Sequence, residues 1–313
     1  MPHFILHHYD GSPFSEKLRL IFGFKGLSWA SVTIPVIMPK PDVVALTGGY
    51  RKTPIVQVGA DVYCDTALIA RLIEQHAPKP TLYPAGAPLA PILAQWADST
   101  LFWTVVPVAL QPAGVAHTLK GMPPEVLKDF AADRRPFTAT LKRQTLADAT
   151  AQLGVYTAAF DAQLADGRPW LLGSKAGAEA SIADFAVAHC AWFVRRAGPV
   201  ASSVFSPFKH FNAWLDRVLA LGHGRPEAMS SEEALALAAA ATSHVPCHVA
   251  PGLGFDAGQR VTVTPIDYGL DPVAGTLVGL SSEEVVVRRT DARAGTVHVH
   301  FPRAGFQIKP ETA

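Results

Sequence analysis

Residues 8–20, HYDGSPFSEKLRL, set a hydroxyl at Ser12 directly ahead of a proline and of a run with the spacing of an amphipathic helix. A helix start leaves backbone N–H groups unpaired and carries partial positive charge, so a group held beside it can stabilise an anion. Two later features bear on which anion that is. Thr53-Pro54 opens the run PIVQV, where a proline is awkward unless its peptide bond is special; only about 5% of X–Pro bonds in folded proteins are cis. Asp65-Thr66 opens another helical run. The Asp65 carboxylate suits an ammonium group, and the Thr66 hydroxyl and N–H suit a carboxylate.

The elements that must position these groups follow from the apolar pattern. Phe4-Ile5-Leu6 reads as a buried strand leading to the Gly11-Ser12-Pro13 turn. Phe14, Leu18, Ile21 and Phe22 then recur at helical spacing up to a stop at Lys25-Gly26. Residues 29–34, WASVTI, alternate and end at Pro35, which completes a βαβ unit. Residues 54–64, PIVQVGADVYC, read as an antiparallel hairpin across Gly59-Ala60-Asp61. The helix after it puts Leu68, Ile69, Leu72 and Ile73 on one face and stops at Pro78 and Pro80.

TLYPAGAP, residues 81–88, has linker composition, and the period beyond it is helical, with capping-box spacing at Ser181–Asp184 and at Ser230–Glu233. From Val245 the pattern turns to short alternating runs at 260–264, 276–280, 284–288 and 296–301, a small β-rich, barrel-like module. The predicted units are 1–83, 88–242 and 245–313.

Composition narrows the function. With 49% hydrophobic residues among 313 the chain can bury real cores, and with 27 Lys+Arg against 26 Asp+Glu and no basic run, nucleic acid is not an expected partner. Apolar stretches are broken well short of ~20 residues and MPHFILHH lacks a cationic leader pattern, so no membrane association is expected. Cys64, Cys190 and Cys247 are odd in number and far apart. Their spacing argues against a disulfide framework and for a reducing, cytoplasmic setting.

The ordered set SPFSEKLRL, KTPIVQV and DTALIARLIE resembles the glutathione transferase family over roughly residues 3–230. The resemblance implies a thioredoxin-like domain followed by an all-helical one, so the fold class expected is α+β followed by α, with the β module added. It implies glutathione as cosubstrate, an apolar electrophile as partner, a homodimer and a role in detoxification. By resemblance Ser12 hydrogen-bonds the glutathione sulfur, and Thr53, before a cis Pro54, pairs its backbone with the cysteinyl part. Asp65 and Thr66 grip the γ-glutamyl end, while Arg51 or Lys52 meets the glycyl carboxylate. A thiol of pKa near 8.5 is mostly protonated at pH 7, whereas the thiolate is the nucleophile.

This chain departs from the family in places. The loop before the proline is TGGYRK rather than Asn-Pro-containing, and Asp-Thr replaces the commoner Glu-Ser. Ser12 stands where other branches carry a nucleophilic Cys. A hydroxyl forms no mixed disulfide, which disfavours reductase chemistry.

Other readings of single residues stay open. Ser12 has an alternative as a plain turn and cap residue, and Tyr9 is its rival for the sulfur because other branches use a tyrosine there. Ser15 reads as a solvent or cap residue, Asp184 as a structural cap, and Cys64 as a small buried side chain. Trp96, Phe102 and Trp103 suit either an apolar pocket or a helix core. His244, Cys247, His248, His298 and His300 cluster late but match no established ligand spacing, so no metal is assigned. The function read is thiolate addition to, or substitution on, an apolar electrophile. The rivals are a non-catalytic glutathione- or ligand-binding scaffold whose β module recruits a partner, and a glutathione-dependent isomerase or dehalogenase.

Overall fold

A computed structural model of the chain describes residues 4–120, 123–173 and 179–311. Residues 1–3 and 312–313, the outer ends of the first and last sequence-assigned units, lie outside the described residues.

Strand β1 (Ile5–His8) runs parallel to β2 (Ser28–Thr33) and antiparallel to β3 (Ile55–Val58), which turns through Gly59-Ala60 into antiparallel β4 (Asp61–Cys64). Helix α1 (Pro13–Phe24) connects β1 to β2, while α2 (Pro41–Thr47) and α3 (Thr66–His76) follow β2 and β4. This is the thioredoxin-like order expected from the sequence, with α2 added; seven residues are too few for a helical period to show. Strand alternation sorts the side chains into two layers. Leu6, Val56 and Tyr63 pack with α1, α3 and the helical unit, and Ile5, Ile55, Val62 and Cys64 pack on the opposite face.

The helical unit begins with α4 (Ala90–Trp96), which continues through a π-helical stretch, Ala97–Leu101, into α5 (Phe102–Ala109). Helices α6 (Pro112–Thr118), α7 (Pro124–Phe137), α8 (Leu146–Leu164), α9 (Ile182–Arg196), α10 (Pro199–Ser202) and α11 (Lys209–Leu219) complete it. Helix α9 is the axis, with residues 182–191 all buried. The Asp184 carboxylate near its start accepts hydrogen bonds from Ser181 N–H (2.8 Å) and Oγ–H (3.0 Å), Leu171 N–H (2.9 Å) and Trp214 Nε1–H (2.9 Å). With those acceptor sites filled, Asp184 ties together the start of α9, the 171 segment and α11, in keeping with its reading as a structural cap.

The chain then returns to the first sheet. Strand β5 (Arg225–Ala228) lies parallel beside β2, and α12 (Ser231–Ala240) follows, capped reciprocally by Ser230 and Glu233. The antiparallel run β6 (Arg260–Pro265), β7 (Val273–Leu280), β8 (Glu284–Asp291) and β9 (Gly295–Pro302) matches the predicted segments, and β10 (Phe306–Pro310) adds a strand beside β6.

Strand β9 pairs in parallel with β4, in the register Asp61↔His298, Val62↔Val299 and Tyr63↔His300. A single ten-stranded sheet results, in the order β10-β6-β7-β8-β9-β4-β3-β1-β2-β5. The sequence reading kept 225–240 with the helices and the β module apart; here both dock on the N-terminal sheet. The cause is apolar surface. Ile5, Ala30, Val32 and Val62 need a cover, which Ala234, Leu235 and Ala238 of α12 and Val261, Leu277 and Val299 of the module supply. Among the described residues no single helix is long and apolar enough to cross a membrane.

Candidate active site

The turn after β1 is fixed by backbone and by one arginine. Ser12 N–H donates to the Tyr9 carbonyl at 3.1 Å. The Arg19 guanidinium reaches back from α1 to the Asp10 carbonyl (3.0 Å), the Glu16 carboxylate (2.6 Å) and His8 Nδ1 (3.0 Å). Because Arg19 can only donate, His8 accepts at Nδ1, carries its proton on Nε2 and donates it to Ser31 Oγ at 2.8 Å.

Ser12 is the N-cap of α1, 2% exposed, its Oγ accepting from Ser15 N–H at 3.2 Å with Pro13 in the first helical position. That bond uses a lone pair and leaves the hydroxyl proton for another partner. The Tyr9 phenol shares a hydrogen bond with the same side chain and another with Arg134; burial pushes its pKa up, against the pull of those two neighbours. Both residues line a cavity of about 1150 Å³ between the first sheet and the helical unit. A drug-sized ligand site spans about 300–1,000 Å³, so this volume can take two molecules side by side.

The cavity is mostly apolar, with Phe14, Phe102, Trp103, Leu119, Phe130 and Phe193 on its wall. Its charged rim is mostly cationic. Lys40, Arg51, Lys52, Arg134, Arg135, Lys142, Arg143 and Arg196 reach the wall, and Asp10 is the one carboxylate among the described residues there. Lys40 is 3% exposed, donates to Thr53 Oγ1 at 3.0 Å and stands 5.7 Å from the Tyr9 ring centre. Burial, and then the neighbouring Arg134 and Arg51, lower its pKa to about 8. Arg51 pairs with Asp133 at 2.6 Å.

Of the residues singled out in the sequence, the cavity brings together Ser12, Arg51, Lys52 and Thr53, with Tyr9, Phe102 and Trp103. Thr53-Pro54 is a cis peptide and Pro54 is buried behind it. Asp65 and Thr66 stand off the cavity wall. Asp65 caps α3, its Oδ1 accepting from Ala67 N–H at 2.8 Å, with φ at 76°, a left-handed backbone that a non-glycine residue adopts rarely. Thr66 Oγ1 accepts from Lys17 Nζ at 3.1 Å, and Lys17 also binds Asp98, which takes a second hydrogen bond from His189 Nε2 at 3.0 Å. Burial alone pushes the Asp98 carboxyl up, yet Lys17 and His189 outweigh it and hold the group below its ordinary value.

Trp96 turns away and packs edge-on against Tyr156. Cys64 is fully buried and burial drives its thiol pKa well up, so it is no nucleophile.

Several wall residues escaped the sequence reading, among them Lys40, Arg134 and Tyr268. Lys40 sits in the proline-flanked stretch MPKPD, and Arg134 in a mixed-charge helix; neither segment carries a motif. The third, Tyr268, arrives from the loop between β6 and β7, more than 200 residues from Lys52. Its neighbour Asp267 pairs with Lys52 at 2.5 Å, and its ring stands edge-on to Trp103 with centroids 4.9 Å apart. Burial, and then the negative charges of Asp267 and Asp65, push its phenol pKa well up.

With this geometry described, comparison with known proteins gives the family. Residues 6–81 match the model for the glutathione S-transferase N-terminal domain and residues 111–221 that for the C-terminal domain. The fold of a GST-like protein from Pseudomonas syringae is shared at TM-score 0.81 and 41% identity, over 99% of this chain and 100% of that one. A glutathione S-transferase from Rhodospirillum rubrum F11 matches at TM-score 0.51 and 16% identity over 69% of this chain and 88% of its own. Glutathione S-transferase III in its apo form matches at 0.51 and 17% over 78% and 99%. No curated protein matches the chain. The chain belongs to the glutathione S-transferase family, and the likeness to the Pseudomonas syringae protein extends through the C-terminal strands.

Proposed function

We propose that the cavity binds glutathione with its sulfur at Ser12 and brings the thiolate onto an apolar electrophile seated along Phe14, Phe102, Trp103 and Phe130. The observation that carries this reading is the buried Ser12 hydroxyl, capping α1 and facing a cavity whose rim is cationic. A hydrogen bond and a helix N-terminus together giving ~2 to 3 kcal/mol would lower a thiol pKa by about two units, which makes the thiolate the major species at neutral pH. Catalysis then rests on thiolate concentration and proximity. In this reading Arg51, Lys52 and the missed Lys40 serve the carboxylate end of the tripeptide, the Thr53 backbone before Pro54 serves its middle, and the γ-glutamyl end extends past the cavity wall to Asp65 and Thr66. The same cations favour electrophiles that carry an anionic group. The reading includes a cytoplasmic homodimer and a role in removing reactive apolar compounds. Leu89 and Ile92, 63% and 65% exposed and three residues apart at the start of α4, are an apolar surface suited to a second copy.

One observation favours a second reading, glutathione or ligand binding without turnover: Asp267 and Tyr268 already engage Lys52 at the cavity wall. Titration of bound glutathione by its thiolate ultraviolet absorbance separates the two. A pKa depressed by a unit or more, restored by Ser12→Ala and unchanged by Tyr9→Phe, supports the transferase. An undepressed pKa in a protein that still binds glutathione supports the binder.

A further inference from the structure

The histidines that the sequence clusters late meet an aspartate from the other end of the chain. Asp61 opens β4 and is the register partner of His298 across the parallel β4–β9 ladder. His244 comes from the segment after α12, and its ring stacks on that of His298, with centroids 3.7 Å apart and planes 13° from parallel. Both rings turn Nδ1 toward the same carboxylate, His244 Nδ1 at 3.8 Å from Oδ2 and His298 Nδ1 at 3.9 Å from Oδ1. These separations are too long for hydrogen bonds. Both Nδ1 atoms are sealed from solvent and have no hydrogen-bond partner. A buried imidazole nitrogen left without a partner is costly, and two facing one carboxylate call for a common occupant.

We propose that Asp61, His244 and His298 form a binding site for one divalent cation of the zinc type, which clips the C-terminal module to the thioredoxin-like sheet. The donor atoms all lie within 4.8 Å of one another. Ligands at ~2.0–2.1 Å from a tetrahedral ion stand about 3.3 Å apart, so donors now within 4.8 Å of one another draw together as the two rings fan out of their stack. Two imidazole nitrogens and one carboxylate oxygen suit zinc, nickel or cobalt and not magnesium or calcium, which take oxygen ligands.

The carboxylate is already oriented from behind. His300 Nε2 bonds Asp61 Oδ1 at 2.9 Å while its Nδ1 bonds Glu284 at 2.7 Å, and Val245 N–H donates to Oδ2 at 3.0 Å. Such outer partners are what hold a ligating carboxylate in place. The fourth position goes to a water, admitted as the His244 ring, 21% exposed in its side chain, swings out of the stack to bind the ion. The ligands lie at 61, 244 and 298, so the ion would join a strand of the first sheet, the segment after α12 and a strand of the module.

The test is titration of the chelator-stripped full chain with Zn²⁺, followed by calorimetry and thermal unfolding. One ion bound per chain at micromolar or tighter affinity is expected, with a melting temperature several degrees higher. His244→Gln, at a partly exposed position after α12, and His298→Ala should each weaken binding at least tenfold, and Mg²⁺ should have no effect. Absence of stoichiometric binding overturns the site, as does zinc binding unchanged in both variants. Glutathione binding, read in parallel, is untouched in either case.

Discussion

Lys52 Nζ stands 4.0 Å from the centre of the Tyr268 ring, so a residue of the C-terminal module forms part of the wall facing Ser12 and Thr53. The contact joins a cation beside the cis proline to an aromatic edge that also meets Trp103. The module is therefore part of the cavity as well as a cover for the sheet.

Removing that ring should be felt in binding rather than folding. The ring holds Lys52 at the wall through a cation–π contact of about 0.5–2 kcal/mol, so Tyr268→Ala, which releases Lys52 from that position, should raise KM for glutathione by at most roughly 2- to 30-fold. The far-ultraviolet circular dichroism should match that of the parent chain. An unchanged KM would place the tripeptide away from Lys52.

Lys40 should give ligand binding a pH dependence. Its pKa in the free protein is lowered to about 8 by burial and by Arg134 and Arg51. The protonated form attracts a carboxylate, so affinity is full below that value and falls as pH rises through it, by up to about tenfold per unit. S-methylglutathione, which has no titrating thiol, is the ligand for calorimetry between pH 6.5 and 8.5, the range kept below the titration of its amine. Lys40→Met should remove the dependence together with the affinity.

Stability should fall on acidification for a reason readable in β1. His7 is fully buried against Gln57 and His8 is buried against Arg19, and burial lowers the pKa of each from 6.5 to about 4. The unfolded chain binds these protons first, so the contribution to stability is complete above pH 6.5 and is lost as pH falls toward 4. Each histidine accounts for roughly 3 kcal/mol over that window. Urea unfolding at pH 7.5 and pH 5 should show the loss, and His7→Gln should reduce its slope by about one proton.

Asp98 should be a sensitive carboxylate of the helical unit. It faces Lys17, whose side chain is fully buried, so Asp98→Ala leaves an uncompensated ammonium and should cost about 3–5 kcal/mol. Replacing both, Lys17→Met with Asp98→Ala, should recover part of the loss in the same unfolding assay, because the charge leaves with its partner.

Sequence periodicity carried the first 80 residues well because each element there is local. The hairpin turns at Gly59-Ala60, the helices start at Ser12 and Asp65, and β1 alternates between two cores. Ser12, Arg51, Lys52 and Thr53 could be named for the same reason, since each belongs to a short motif. Tyr268, Lys40 and Arg134 could not, because no local pattern announces which loop or helix face closes a cavity. The docking of β9 on β4 was hidden likewise: a parallel strand pair joins residues 61 and 298 with nothing in either segment to mark the other.

That β4–β9 ladder, with β5 beside β2, also leaves the four-stranded core of the first unit with no open margin. Open strands invite pairing with other chains. A chain ending at residue 224 would keep the helical unit with Ser12, Arg51, Lys52 and Thr53, and would lose Tyr268 and Asp267 from the cavity wall. It would also bare β2 and β4 together with the apolar face of Ile5, Val32 and Val62. Such a truncation should therefore aggregate in addition to losing the Tyr268 wall, and the residues from 225 onward serve as the first domain's own protection against self-association.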